Sequence, residues 1–228
     1  MIVVYSVLGA VSVLSAGLSG TFYLRKNPRL RFVFKFVASL CFFFLGIAAS
    51  ATAQLSVYAV LVLSALSLGM LGDLFLCSEG LVLHQNKIMF DAFGLLTFLG
   101  GHLFFIALFF STTPFDFRLL PVALILTVGL CASIAVKAVS FGKLTPVFLI
   151  YSVVLGLMVV STLNYYLSAP SLKSTLALSA GVLFALSDSL IIFKDYGKRK
   201  GHPVLVYAVL ITYYVAQCLF AVTIALNH

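Results

Sequence analysis

VLVLSALSLGMLGDLFLC (residues 60–77) and TLALSAGVLFALSDSLIIF (residues 175–193) are each long and apolar enough to cross a bilayer, and each holds one aspartate, Asp73 and Asp188. A carboxylate inside hydrocarbon is expensive, so an ionisable residue at that depth points to a functional site. The two segments are also related. Residues 61–73 align with 176–188 without a gap, at an offset of 115 residues. Leu61/Leu176, Leu63/Leu178, Ser64/Ser179, Ala65/Ala180, Leu68/Leu183, Leu71/Leu186 and Asp73/Asp188 are identical, seven of thirteen pairs. The same offset carries His102 onto Gln217. The pattern reads as an internal duplication in which each half contributes one acid.

Composition sets the class. Hydrophobic residues make up 63% of the chain and charged residues 9%. A soluble domain of 228 residues could not hide that much apolar surface. A helical span takes roughly 20 apolar residues to cross a hydrocarbon core about 30 Å thick. Eight such spans are expected, over about 2–24, 33–51, 55–77, 90–111, 119–137, 146–167, 173–193 and 204–226. The fold expected is therefore an all-α polytopic membrane protein. It is one membrane domain, residues 1–228, with repeat halves of about 1–115 and 116–228. Four spans per half is an even number, so the halves share one orientation, related by an axis along the membrane normal.

Basic residues orient the bundle. Connections after the odd-numbered spans carry Arg25, Lys26, Arg29, Arg31, Lys35, Lys87, Lys137, Lys143, Lys194, Lys198, Arg199 and Lys200, which is 12 of the 14 Lys and Arg residues. Only Arg118 and Lys173 fall on the other side. The positive-inside rule then places the odd connections in the cytoplasm and both termini outside it. Arg25 and Lys26 follow the first span rather than precede it, so that span reads as a retained helix and not a cleaved signal peptide. The net charge of +8 is spread over several juxtamembrane loops, which fits topology and anionic lipid head groups and gives no single face for nucleic acid. Cys41, Cys77, Cys131 and Cys218 stand singly in apolar runs, with neither metal-site nor disulfide spacing.

Depth follows from helical rise. Asp73 and Asp188 each lie six residues before a charged residue, Glu79 and Lys194. Each is then roughly 9 Å below the same membrane edge. If both face the bundle centre, they form a pair. His102 and the Tyr213, Tyr214 and Gln217 group occupy a nearby layer of the fourth and eighth spans. Phe90, Gly94, Phe98 and His102 recur every four residues and stack along one slowly drifting face. Lys35, near the start of the second span, can either snorkel to the interface or meet a phosphate.

These pieces carry a family resemblance. Phe34-Lys35, Leu71-Gly72-Asp73, the Phe90…Gly94…Phe98…His102 ladder, Leu183–Asp188 and Thr212–Gln217 occur in the order found in the YhhN family. The chain resembles these multi-pass membrane proteins, whose characterised members are lysoplasmalogenases. Phe36 stands where the family has Pro, and Phe105 where an aromatic hydroxyl is common. The resemblance implies hydrolysis of the vinyl ether bond of a lysoplasmalogen in the endoplasmic reticulum membrane. The products would be a fatty aldehyde and glycerophosphocholine or glycerophosphoethanolamine. It requires no cofactor or metal, and its partners are the lysophospholipid substrate and membrane lipids.

The residues agree with that chemistry. Vinyl ethers resist nucleophiles but yield to acid, through protonation of carbon and an oxocarbenium ion that water attacks. Such an enzyme uses one protonated carboxyl group and one nearby carboxylate. A carboxyl group out of water holds its proton more tightly, and two side by side share one. Asp73 and Asp188 are the expected catalytic pair, with Lys35, His102, Tyr213, Tyr214 and Gln217 binding or supporting. Three other readings compete: a proton-coupled transporter, which parallel repeats and membrane carboxylates also suit; a zinc hydrolase on Asp73, Asp188 and His102; and a non-catalytic lipid-binding protein.

Overall fold

The computed structural model of the chain describes residues 1–53, 56–78, 81, 87–135, 145–197 and 201–226. Glu79 and the basic residues Lys137, Lys143, Lys198, Arg199 and Lys200, used above for depth and orientation, lie outside the described residues. Among the described residues eight α-helices follow one another: α1 (Ile2–Leu24), α2 (Pro28–Thr52), α3 (Val57–Cys77), α4 (Lys87–Thr112), α5 (Leu120–Ala135), α6 (Thr145–Ser168), α7 (Leu172–Ile191) and α8 (Pro203–Thr223). Seven are long and apolar enough to cross a membrane. The exception is α5, with 16 residues, preceded by a short 3-10 turn at Phe117–Leu119. In lipid every backbone polar group must be satisfied internally, which helices alone do segment by segment. Their serines follow the same demand, with Ser64 bonding Val60 O at 2.9 Å and Ser67 bonding Leu63 O at 2.7 Å.

Two boundaries differ from those expected. Hydropathy starts the second helix near residue 33, but α2 begins at Pro28. Asn27 caps it, accepting from the Leu30 N–H at 3.1 Å, and Pro28 fills the first turn, where its missing donor is harmless. Lys35 therefore sits two turns inside α2 rather than at its mouth. At the other end of the bundle α7 does not stop cleanly. It runs on into a single π-helical turn, Ile192–Tyr196, before the chain turns toward α8.

Helix order in space follows from the contacts. α1 packs on α2 and α8; α2 on α3 and α8; α3 on α4 and α8; α4 on α6; α6 on α5 and α7; and α7 on α8. Running direction can be read from bonded pairs. Ser12 Oγ to Ala38 O and Ser19 Oγ to Arg31 O make α1 and α2 antiparallel. Tyr58 with Thr223 and Asp73 with Tyr214 make α3 antiparallel to α8. The two helices that carry the aspartates thus enter from one side, since α7 and α8 are also successive antiparallel neighbours joined by Ser187 Oγ to Val209 O. The centre is aromatic. Phe42, Phe105, Phe109, Tyr214 and Phe220 are buried, and Phe105 stacks on Phe220 with centroids 3.9 Å apart.

Candidate functional site

Lys35 and Ser39 are four residues apart on α2 and therefore share a face. That face meets Asp73 of α3. Lys35 Nζ lies 3.0 Å from Asp73 Oδ1, and Ser39 Oγ donates to Asp73 Oδ2 at 2.7 Å. Tyr214 of α8 donates to the same Oδ2 at 3.1 Å and lies 3.0 Å from Ser39 Oγ. A buried carboxylate is tolerable when its charge is paired and its lone pairs are filled. Here one oxygen meets an ammonium group and the other two hydroxyl groups. Lys35 keeps only 13% of its side chain exposed and Asp73 2%.

Asp188 of α7 has a different set of partners. Tyr151 of α6 donates to Asp188 Oδ2 at 2.6 Å. His102 Nε2 of α4 lies 3.2 Å from that oxygen and 2.9 Å from the Tyr151 hydroxyl. Tyr151 has one hydroxyl proton and gives it to Asp188. The contact between His102 Nε2 and the Tyr151 oxygen then requires a proton on Nε2. The other ring nitrogen, Nδ1, is buried with no hydrogen-bond partner among the described residues. Such an orphan is costly and marks a place where something polar can bind. Among the described residues the ion-pair partner of Asp188 is this histidine, whereas that of Asp73 is a lysine.

The two networks are separate. Tyr213 lies next to Tyr214, with centroids 4.8 Å apart, and bears edge-on against Phe184 at 5.3 Å and Phe98 at 5.7 Å. Phe184 in turn lies 4.7 Å from the His102 ring. Ring contacts through Tyr213 and Phe184 thus run from Tyr214 of the Asp73 group to His102 of the Asp188 group. The sequence suggests a direct carboxylate pair; among the described residues no hydrogen bond joins the two. Close helix approach explains the arrangement. A Cβ on Gly72 would sit 2.6 Å from the Phe98 ring, and one on Gly69 2.5 Å from Gln217 Nε2. These glycines let α4 and α8 press their rings against α3.

Of the expected supporting residues, Lys35 and Tyr214 join Asp73 and His102 joins Asp188. Tyr213 belongs to the ring wall. Gln217 donates to the Tyr213 hydroxyl at 2.9 Å, and its Oε1 is buried with no hydrogen-bond partner among the described residues. Three residues in the site were not expected from sequence: Ser39, Tyr151 and Phe184. The offset of 115 would have pointed near Tyr151, which corresponds to Phe36, beside Lys35. The zinc reading needs Asp73, Asp188 and His102 on one ion; the structure groups only the last two.

A cavity of about 260 Å³ lies between α5, α6 and α7. Leu155, Gly156 and Val159 line it from α6, Ala185 and Ser189 from α7, and Gly129 from α5. Leu155 is one turn from Tyr151, and Ala185 and Ser189 flank Asp188. Its lining is apolar and its depth is that of the membrane-spanning helices.

Comparison with known proteins adds one match and two blanks. Residues 30–224 match the family model described as the YhhN family, which covers all of the site residues above. No curated protein and no solved structure matches the chain.

Proposed function

The chain belongs to the YhhN family, and from that premise we propose that it is a membrane hydrolase of the lysoplasmalogenase type. Its substrate would be an alkenyl-glycerophosphocholine or alkenyl-glycerophosphoethanolamine. The observation that carries the reading is the Asp188–His102–Tyr151 cluster. A carboxyl group, an imidazole and a phenol share hydrogen bonds of 2.6, 2.9 and 3.2 Å inside the bundle. Such a group can hold a proton and release it.

The proton held between Asp188 and His102 passes to the vinyl carbon beta to the ether oxygen. The double bond's π electrons form the new C–H bond, and an oxygen lone pair completes the oxocarbenium ion. Water adds to the cationic carbon, and the proton it loses returns to the Asp188–His102 pair. The hemiacetal then breaks its C–O bond to glycerol, giving an aldehyde and a glycerol hydroxyl. One water is consumed and the protein is unchanged. A carboxylate beside the cation stabilises it electrostatically, and in low dielectric such stabilisation is worth more than in water. General acid catalysis of this kind contributes typically about 10²- to 10⁴-fold.

Asp73 takes the other role. Lys35 offsets its charge, and Ser39 and Tyr214 occupy its second oxygen. It fixes Lys35 and one wall of the site and does not donate the proton. The alkenyl chain would lie in the α5–α6–α7 cavity, lined by Leu155 one turn from Tyr151 and by Ala185 and Ser189 near Asp188 on α7. The partner pattern also favours a duplicated origin. Asp73 is held by α2 and α8, and Asp188 by α6 and α4, which correspond at the 115-residue offset. The basic connections would then face the cytoplasm from an endoplasmic reticulum membrane, with both termini on the far side.

Purified protein with an alkenyl-glycerophosphoethanolamine should release fatty aldehyde. The alkyl ether with the same chain, which lacks the double bond, should be inert. Absence of aldehyde from the alkenyl lipid under conditions where the protein is folded would sink the proposal.

A further inference from the structure

Two buried side-chain atoms have no hydrogen-bond partner among the described residues, His102 Nδ1 and Gln217 Oε1, and they come from one level of the bundle. α4 and α8 run in the same direction. Gly72 against Phe98 and Gly94 against Leu76 make α4 antiparallel to α3, as α8 is. Ring contacts join α4 and α8 twice. Phe98 meets Tyr213 at 5.7 Å, and Phe105 stacks on Phe220 at 3.9 Å. His102 is four residues past Phe98 and three before Phe105; Gln217 is four past Tyr213 and three before Phe220. Both therefore belong to the layer between the two ring contacts, and they are 0% and 1% exposed.

Both atoms are acceptors. The Gln217 amide donates from Nε2 to the Tyr213 hydroxyl at 2.9 Å. Asp73 is within electrostatic reach of that phenol and draws its proton the other way, so Oε1 is the amide atom left over. His102 Nε2 keeps the proton that its contact with the Tyr151 oxygen requires. Once the Asp188–His102 pair has given a proton to carbon, Nδ1 is therefore bare. Buried acceptors with nothing to accept are unfavourable. One small molecule with two hydrogens on a single atom satisfies both. Buried waters take such places, bonded to otherwise unsatisfied polar groups. A water held by both hydrogens presents its lone pairs to whatever is electron-poor.

We propose that His102 Nδ1 and Gln217 Oε1 hold the water that attacks the oxocarbenium ion. This deepens the reading above and rests on it for the reaction. A lone pair of the water forms the new C–O bond, and the π electrons of the oxocarbenium C=O return to the ether oxygen. One hydrogen of the water leaves as a proton on Nδ1, so the pair regains what it gave to carbon. The other stays on the hemiacetal hydroxyl.

The test follows the fate of the ion in heavy water, on the full chain in detergent. The substrates are an alkenyl-glycerophosphoethanolamine and an alkenyl-glycerophosphocholine. In the parent the held water captures the ion, so unreacted lipid recovered partway should carry little deuterium at the vinyl carbon beta to oxygen. In Gln217→Met and Gln217→Ala capture is slower, and the ion gives a proton back to the Asp188–His102 pair instead. Deuterium then appears in the recovered lipid. The ratio of exchanged lipid to aldehyde should rise about tenfold, as loss of one hydrogen bond in a dry site allows. That ratio does not depend on how much of the protein is folded. Gln217→Glu, protonated in hydrocarbon and still an acceptor, should bring the ratio back toward that of the parent. Aldehyde at the parent ratio from both apolar variants overturns the water position. A change confined to the ethanolamine lipid also overturns it, and gives the two acceptors to the head-group ammonium. A parent that releases no aldehyde from either lipid fails earlier, at the hydrolase reading itself.

Discussion

Lys35 and Asp73 form an ion pair of 3.0 Å that is almost closed to solvent, and they come from different helices, α2 and α3. Asp188 on α7, 115 residues further along the chain, has His102 in place of a lysine. The two aspartates should therefore respond differently to the same substitution.

Asp73→Asn leaves Lys35 charged and unpartnered in the bundle. Breaking a buried pair from one side is worth about 3–5 kcal/mol. The variant should melt well below the parent in detergent. Lys35→Met added to Asp73→Asn should recover most of the loss, because the stranded charge is gone. An Asp73→Asn protein as stable as the parent would show that the pair carries no structural weight.

Asp188→Asn should instead fold and lose turnover. Asn is nearly isosteric, and the amide costs less than the acid in hydrocarbon. It cannot carry the proton, so aldehyde release should fall by about 10²-fold or more. Tyr151→Phe removes the 2.6 Å hydrogen bond to Asp188 but no titratable partner that the chemistry consumes. A hydrogen bond to a charged group is worth about 1.5–3 kcal/mol, so the loss should be about 10- to 100-fold in kcat. If folded Asp188→Asn turns over at the parent rate, the proton donor lies elsewhere.

Much of this was legible in the chain. The apolar runs mark the spans because twenty residues in hydrocarbon leave little choice of composition. Asp73 and Asp188 stand out because charge there is rare, and six identities precede them at one offset of 115 residues. What sequence hid was local or three-dimensional. Asn27-Pro28 starts α2 by capping, which hydropathy does not weigh, and so Lys35 moves inside. Tyr151 lies six residues into α6, where a tyrosine reads as an interfacial anchor; only the fold brings it to Asp188. The ring wall of Phe98, Phe184 and Tyr213 comes from three helices, and no spacing rule connects residues that far apart. Those rings lie beside two sets of hydrogen bonds, one on Asp73 and one on Asp188.

Strong chelation should leave aldehyde release unchanged. The proton in the proposed mechanism comes from Asp188 and His102, and Asp73 is engaged by Lys35. Activity that falls to background with chelator and returns with zinc would favour a metal held by Asp188 and His102 with donors from the substrate or solvent.

The α5–α6–α7 cavity gives a prediction about chain length. A Cβ on Gly129 would meet nothing within 4 Å, so a large side chain there can enter the cavity without disturbing the backbone. Gly129→Phe should leave the fold and the Asp188 network intact while filling part of the roughly 260 Å³. Losing room for a few methylenes, at about 0.8 kcal/mol for each one buried, should lower kcat/KM for a long alkenyl chain by about 10-fold or more. A short-chain substrate, which does not reach that far, should be turned over nearly as before. Pairing long and short alkenyl lipids on parent and variant measures this ratio directly. Equal losses for both lengths would mean that Gly129 acts on the fold, and no loss for either would place the chain outside this cavity.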